Sequence, residues 1–215
     1  MNIWVLRLLL EIVFLTVVFL HLVKKNYGAV LAYTIQSLAI VAVLFNSFLE
    51  TGGMSLLLIA LLALIVKVIL APLFFVRMIK KNGLRFSVST YLNTPLTLIV
   101  IAAITAIAHS QKLAPLAEIV PANHALLSLA LSAMLLSLVL IINRKGALSQ
   151  IIGILSFENS IIAFAVFAGL EQSPSLQAGI LFDLFVWLVI ATVFMAMIYK
   201  HFGSLDVTSM KHLKD

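Results

Sequence analysis

The chain has no cysteine. Disulfide bonds, thiolate ligation of iron–sulfur clusters and thiol catalysis by this chain are therefore excluded. Charge is nearly as scarce, at 10% of residues against about 25% in a soluble domain. Acids are the scarcer sign, with 8 Asp and Glu set against 14 Lys and Arg. There is no glycine-rich phosphate loop, no nucleophile–base arrangement and no His-x-x-x-His spacing of the kind a metal uses. Long linkers and low-complexity tracts are missing too. What is present instead is hydrocarbon: 63% of the 215 residues are hydrophobic, and mean hydropathy is +1.20. A folded soluble protein of this size cannot hide so much apolar surface, so the composition predicts an all-α polytopic membrane protein.

A helix needs about 20 apolar residues to cross the hydrocarbon core, and about seven stretches meet that length. They are residues 3–23, 28–49, 54–77, 87–109, 122–142, 148–169 and 176–199. The first lacks the basic flank and small-residue cleavage site of a removable signal peptide. The fourth contains Pro95, which is compatible with either a short helix starting at Thr94–Pro95 or a longer helix kinked there. Basic residues sort to alternate connections: Lys24 and Lys25; Arg77, Lys80, Lys81 and Arg85; Arg144 and Lys145; Lys200, Lys211 and Lys214. The other connections carry Glu50, Glu118 and Glu171, with Lys112 as their one base. Lys/Arg excess marks the cytoplasmic side, which sets the N-terminus outside and the C-terminus inside. The same sorting explains the net charge of +6 without a nucleic acid or other polyanion. The expected organisation is one membrane domain over 1–215. Spans 1–3 occupy 1–85, span 4 and an outer loop 86–121, three further helices 122–200, and a cytoplasmic tail 201–215. Leu205, Met210 and Leu213 are placed to dock that tail on a neighbour.

Five charged residues fall inside the spans: Arg7, Glu11, Lys67, Glu158 and Asp183. Each costs about 2.5–3.5 kcal/mol at a helix centre on insertion scales, so each needs a partner, water or a function. Arg7 and Glu11 are four residues apart, share a face and can pair near the outer end. Lys67 lies deeper, on a face with Ala60, Ala63 and Ala71, small residues that let a neighbouring helix come close. Pro72 cannot donate to the Val68 carbonyl, which leaves a polar spot beside the amine. Glu158 falls near the membrane midplane, too deep for a short side chain to reach water, with Ser156 and Asn159 as polar neighbours. An acid that can gain and lose a proton at that depth is what a relay requires. Asp183 lies nearer the outer end of the last span, one turn after Gly179. If spans 6 and 7 pack as a hairpin about 8–10 Å apart, Glu158 and Asp183 communicate directly or through water. Gln36, among Tyr33, Thr34 and Ser37, reads as a helix–helix hydrogen-bonding group, and Ser128, Ser132 and Ser137 as packing surface. For the three deep charges the alternative is purely structural: a fixed ion pair, a permanently neutral acid or a snorkelling lysine.

Residues 151–215, from "IIGILSFENSIIAF" through the acid in "ILFDLF" to the closing "FGSLDVTSMKHLKD", resemble the C-terminal part of hydrogenase-4 component E. That family supplies a membrane subunit to group 4 nickel–iron hydrogenases and formate hydrogenlyases. The likeness is topological before residue 151. Over 122–200 the layout is also similar to the three-helix K-type subunit of respiratory complex I and the C-type subunit of Mrp antiporters, which carry acids in their last two helices. On that likeness Glu158 and Asp183 match the two membrane acids. The pattern departs from the K-type subunit in having Phe157 before the first acid and an aspartate, one methylene shorter, as the second.

The resemblance implies a non-catalytic subunit of the inner (cytoplasmic) membrane. It would be wedged between an antiporter-like subunit and the membrane foot of a cytoplasmic hydrogenase arm. Nickel–iron and iron–sulfur centres would belong to partner subunits, with no metal and no catalytic residue in this chain. The expected work is to carry or gate protons through Glu158, Asp183 and Lys67, with Gln36 and Asn159 supporting the polar axis. A cation/proton antiporter subunit or stand-alone ion-coupled transporter is the alternative, and an assembly scaffold is the plainest one.

Overall fold

The computed structural model of the protein describes residues 3–84, 86, 90–113, 124–167, 174–203 and 205. Among these residues there is no strand. Two isolated backbone bridges, Lys25 with Phe86 and Thr90 with Arg144, pin connecting segments together. The helices are α1 (Ile3–Leu22), α2 (Asn26–Thr51), α3 (Met54–Ala63), α4 (Ala71–Asn82), α5 (Thr94–Ala108), α6 (His124–Asn143), α7 (Ala147–Phe167) and α8 (Pro174–Phe202). A π-helical segment, Leu64–Leu70, joins α3 to α4, so the two form one continuous rod, Met54–Asn82. Among the described residues five helices are long and apolar enough to cross a membrane: Trp4–Leu22, Asn26–Glu50, Met54–Asn82, Ala125–Asn143 and Ala147–Val166.

Local chemistry explains where these helices stop. Gly52 and Gly83 follow α2 and α4 with φ of +69° and +64°, and their N–H groups return to the carbonyls of Phe48 and Ile79. A left-handed residue of this kind closes a helix, and glycine adopts it without a steric penalty. α5 takes the shorter of the two arrangements that Pro95 permits. Asn93 stands outside the helix, its Oδ1 accepting from Leu96 N at 3.0 Å, and Pro95 occupies the first turn, where no intrahelical N–H is required. Residues 90–93 are therefore not helical.

The antiparallel α6–α7 pair is the most extensive helix contact in the bundle. Gly153 makes its close approach possible: a β-carbon there would stand 3.0 Å from Ile141 Cγ1. α2 is the hub, touching α1, α3, the π segment, α4 and α7. α8 rests on α3, α4 and α7, and its Tyr199 hydroxyl donates to the Asn82 carbonyl at 3.0 Å. Two apolar clusters fill the interior. One, toward the basic end, includes Leu20, Tyr33, Phe75, Leu140, Ile152 and Leu155. The other includes Leu10, Ile40, Leu44, Ala60, Ala133 and Ile162. Leu205 belongs to the first cluster, 3% exposed, and its carbonyl accepts from Ala147 N at 3.0 Å. That corrects the expectation that Leu205 docks a partner, because the bundle itself has already buried it. Met210 and Leu213 lie outside the described residues.

Candidate functional site

Between the two apolar clusters the chain changes character on three neighbouring elements. α2 passes from Tyr33 to Ile40 through Gln36 and Ser37, the rod passes from Ala63 to Ala71 through Lys67, and α7 passes from Leu155 to Ile162 through Ser156, Glu158, Asn159 and Ser160. These residues meet in one polar layer. Lys67 is fully buried, and its Nζ lies 2.8 Å from Glu158 Oε1 while donating to Asn159 Oδ1, also at 2.8 Å. Asn159 Nδ2 donates onward to Ser37 Oγ at 3.0 Å, with Gln36 Oε1 at 3.4 Å. The Lys67–Glu158 contact is an ion pair at hydrogen-bonding distance. Gln36 and Tyr33, both 0% exposed, add an amide and a hydroxyl to the same layer.

The backbone around Lys67 follows from Pro72. In α-helical register the N–H of residue 72 would serve the carbonyl of residue 68, and proline has none. The ladder slips by one: Ala71 N–H bonds the carbonyl of Val66, five residues back, and Leu64–Leu70 widens into π turns. Single π turns are uncommon and concentrate at functional sites. The small residues Ala60, Ala63 and Ala71, all at most 2% exposed, bring the rod against its neighbours as their size predicts. Together these features deliver the Lys67 ammonium to α7 inside the bundle.

A second polar string adjoins the first on α6 and α7. Ser137 Oγ donates to the Ala133 carbonyl at 2.9 Å and lies 3.3 Å from Ser156 Oγ and 3.2 Å from Ser160 Oγ. Ser137 thus does more than present a packing surface, whereas Ser132 turns back to the carbonyl of Ser128 on its own helix. Both sets of polar groups are buried, and Glu158, whose side chain is 18% exposed, is the least buried of them.

The sequence-predicted residues divide accordingly. Lys67, Glu158, Asn159 and Gln36 are brought together. Asp183 lies in α8, and its side chain falls outside the described residues. Arg7 and Glu11 pair at 2.9 Å on an exposed face, apart from the layer. Reading the sequence missed a second buried cation. Arg144, 3% exposed, donates to the carbonyls of Leu20, His21 and Val23 and so caps the C-terminus of α1. Next to it His21 Nε2 meets the Leu136 carbonyl at 3.0 Å, and Asn143 Oδ1 accepts from Leu92 N at 2.8 Å. The position of Arg144 beside Lys145 in a short connection gave no signal of this, because interfacial basic residues are ordinarily solvated.

Chemically, the layer can hold, take up and hand on a proton. Glu158 is a carboxylate beside an ammonium, with an amide and hydroxyls leading away from both. Among the described residues no group of three or more His, Cys, Asp or Glu is placed to hold a metal ion. No family model, no curated protein and no solved structure matches the chain.

Proposed function

We propose that this chain is a non-catalytic membrane subunit of a hydrogenase-like or complex I-like oxidoreductase, of the hydrogenase-4 component E type, that carries or gates protons along a buried polar axis. In this reading it has about seven spans, with the N-terminus outside and the C-terminus cytoplasmic, in the inner membrane. It joins an antiporter-like subunit to the membrane foot of the hydrogenase arm, and nickel–iron and iron–sulfur centres reside in the partners. The observation that carries the proposal is the Lys67–Glu158 pair, 2.8 Å apart in a layer of buried polar groups contributed by separate helices.

The pair supplies a simple switch. With Glu158 ionised, its charge and that of Lys67 cancel. A proton arriving on Glu158 removes the attraction and leaves Lys67 held by Asn159 alone. Asn159, Ser37 and Gln36 offer hydrogen-bonding stations on the α2 side. Asp183 is the outward partner in this scheme. The test is Glu158→Gln in the assembled complex. We expect the complex to purify intact and coupled proton movement in proteoliposomes, followed with a pH-sensitive dye, to fall by about 100-fold. Unchanged proton movement with intact assembly would leave the layer a scaffold.

A second reading, an antiporter subunit or stand-alone ion-coupled transporter, draws on the π segment, because transporters bind ions where a spanning helix departs from α geometry. Purification separates the two: a complex member co-purifies with large partners and is inert alone in liposomes.

A further inference from the structure

The Lys67 ammonium sits in a cradle of oxygens from α7. Glu158 Oε1 and Asn159 Oδ1 each lie 2.8 Å from its Nζ. Asn159 is held in this orientation from behind: its Nδ2 donates to Ser37 Oγ at 3.0 Å, which leaves the amide oxygen facing the rod. The ammonium reaches the cradle through the covalent chain. Ala60, Ala63 and Ala71, at most 2% exposed, let the rod pack closely, and the π segment Leu64–Leu70 carries Lys67 at its centre. Lys67 is fully buried, whereas the Glu158 side chain keeps 18% of its surface open. The acid is thus the more reachable member of the pair.

A carboxylate and an amide carbonyl turned to one point inside a membrane bundle are also what an alkali cation seeks when it leaves water. Sodium must replace a hydration shell, so it takes several oxygens at once. Here the two oxygens turned toward the rod already serve an ammonium that cannot diffuse away. A sodium ion arriving there would have to share both ligands and would meet a like charge within a few ångströms. A proton is under neither restriction. It needs one lone pair, and a carboxylate offers about four lone-pair sites, so Glu158 can accept a proton while Lys67 stays on Asn159.

We infer that Lys67 is a tethered cation that closes the Glu158–Asn159 position to sodium and leaves it open to protons. Removing the lysine uncovers a latent sodium site whose ligands include Glu158 and Asn159. On the relay reading, which this deepens and on which it rests, Lys67 is then the residue that sets ion specificity.

Thermal unfolding of the purified full chain in a nonionic detergent, in sodium chloride and in choline chloride at equal ionic strength, tests this with screening matched. The unchanged protein should unfold at the same temperature in both salts. Lys67→Ala should be destabilised in choline chloride and regain stability in sodium chloride. Its folded-to-unfolded ratio should rise about tenfold for each tenfold rise in sodium above the dissociation constant. Adding Glu158→Gln to Lys67→Ala should abolish the sodium effect. Lys67→Met, which keeps most of the side-chain volume, is measured beside Lys67→Ala to separate loss of packing from loss of charge. Sodium-specific stabilisation of the unchanged protein that Glu158→Gln removes would overturn the assignment. So would the lack of a sodium-specific gain in both lysine variants, whether they fold or are lost in both salts, because a bound sodium ion would supply the missing counter-charge. These shifts report binding and not proton movement. Unaltered proton movement in Glu158→Gln would remove the relay and leave the sodium result standing.

Discussion

Lys67 and Arg144 are both buried cations, 0% and 3% exposed, yet the groups that receive their protons differ in kind. Arg144 points its guanidinium at the carbonyls that end α1. A carbonyl keeps its partial charge at every pH of interest, and arginine does not release its proton, so this arrangement has one state. Lys67 faces a carboxylate and an amide oxygen. A carboxylate, unlike a carbonyl, can be neutralised by a single proton, so the partner of this cation can change its charge. One cation caps a helix and the other pairs with an acid, although both read on the sequence as a basic residue in an apolar chain.

The largest expected effect comes from unbalancing the Lys67–Glu158 pair. Glu158→Leu leaves the Lys67 ammonium without a counter-charge and should lower stability by about 3–5 kcal/mol, read as a shift in unfolding by sodium dodecyl sulfate titration. Combining it with Lys67→Met should restore most of that loss, because a buried pair replaced by apolar residues of similar size is close to neutral. A double variant as unstable as the single one would mean that the charges do not compensate each other. Arg144→Leu comes next, at about 2–3 kcal/mol in the same titration, from carbonyls at the end of α1 left without donors. Its loss should be insensitive to changes at Glu158, since the two centres share no residue. Smallest is Arg7→Gln: the Arg7–Glu11 pair is 58% and 42% exposed, and its removal should cost no more than about 0.5 kcal/mol in low salt.

Much of the architecture could be read from residue order. Apolar runs interrupted by basic turns outlined the helices, and Asn93, Thr94 and Pro95 contained the information for where α5 begins. The cost of burying charge picked out Lys67 and Glu158 without any coordinates. What was not legible was who meets whom. Gln36, Lys67 and Asn159 lie on separate helices, and only the adjacency of α2, the rod and α7 brings them together. The nearest partner of Glu158 among the described residues is therefore Lys67, while the expected communication with Asp183 falls on a side chain outside those residues. Asn159 looked like a neighbour of Glu158 and turns out to be the joint between α2 and the rod. Arg144 was hidden for the opposite reason. Its burial depends on α1 ending against the α6–α7 turn, a tertiary fact that leaves no local pattern.

The π segment carries one more implication. A π turn is an α-helix with one residue too many, and each helical residue turns the following face by about 100°. Residues 54–63 and 71–82 are therefore out of phase by that angle relative to a continuous α-helix. Shortening Leu64–Leu70 by one residue would restore α-helical phase between them and turn Phe75 and Ile79 by about that angle relative to Ala60 and Ala63. The extra residue is the means by which one long helix presents two different faces to the same interior.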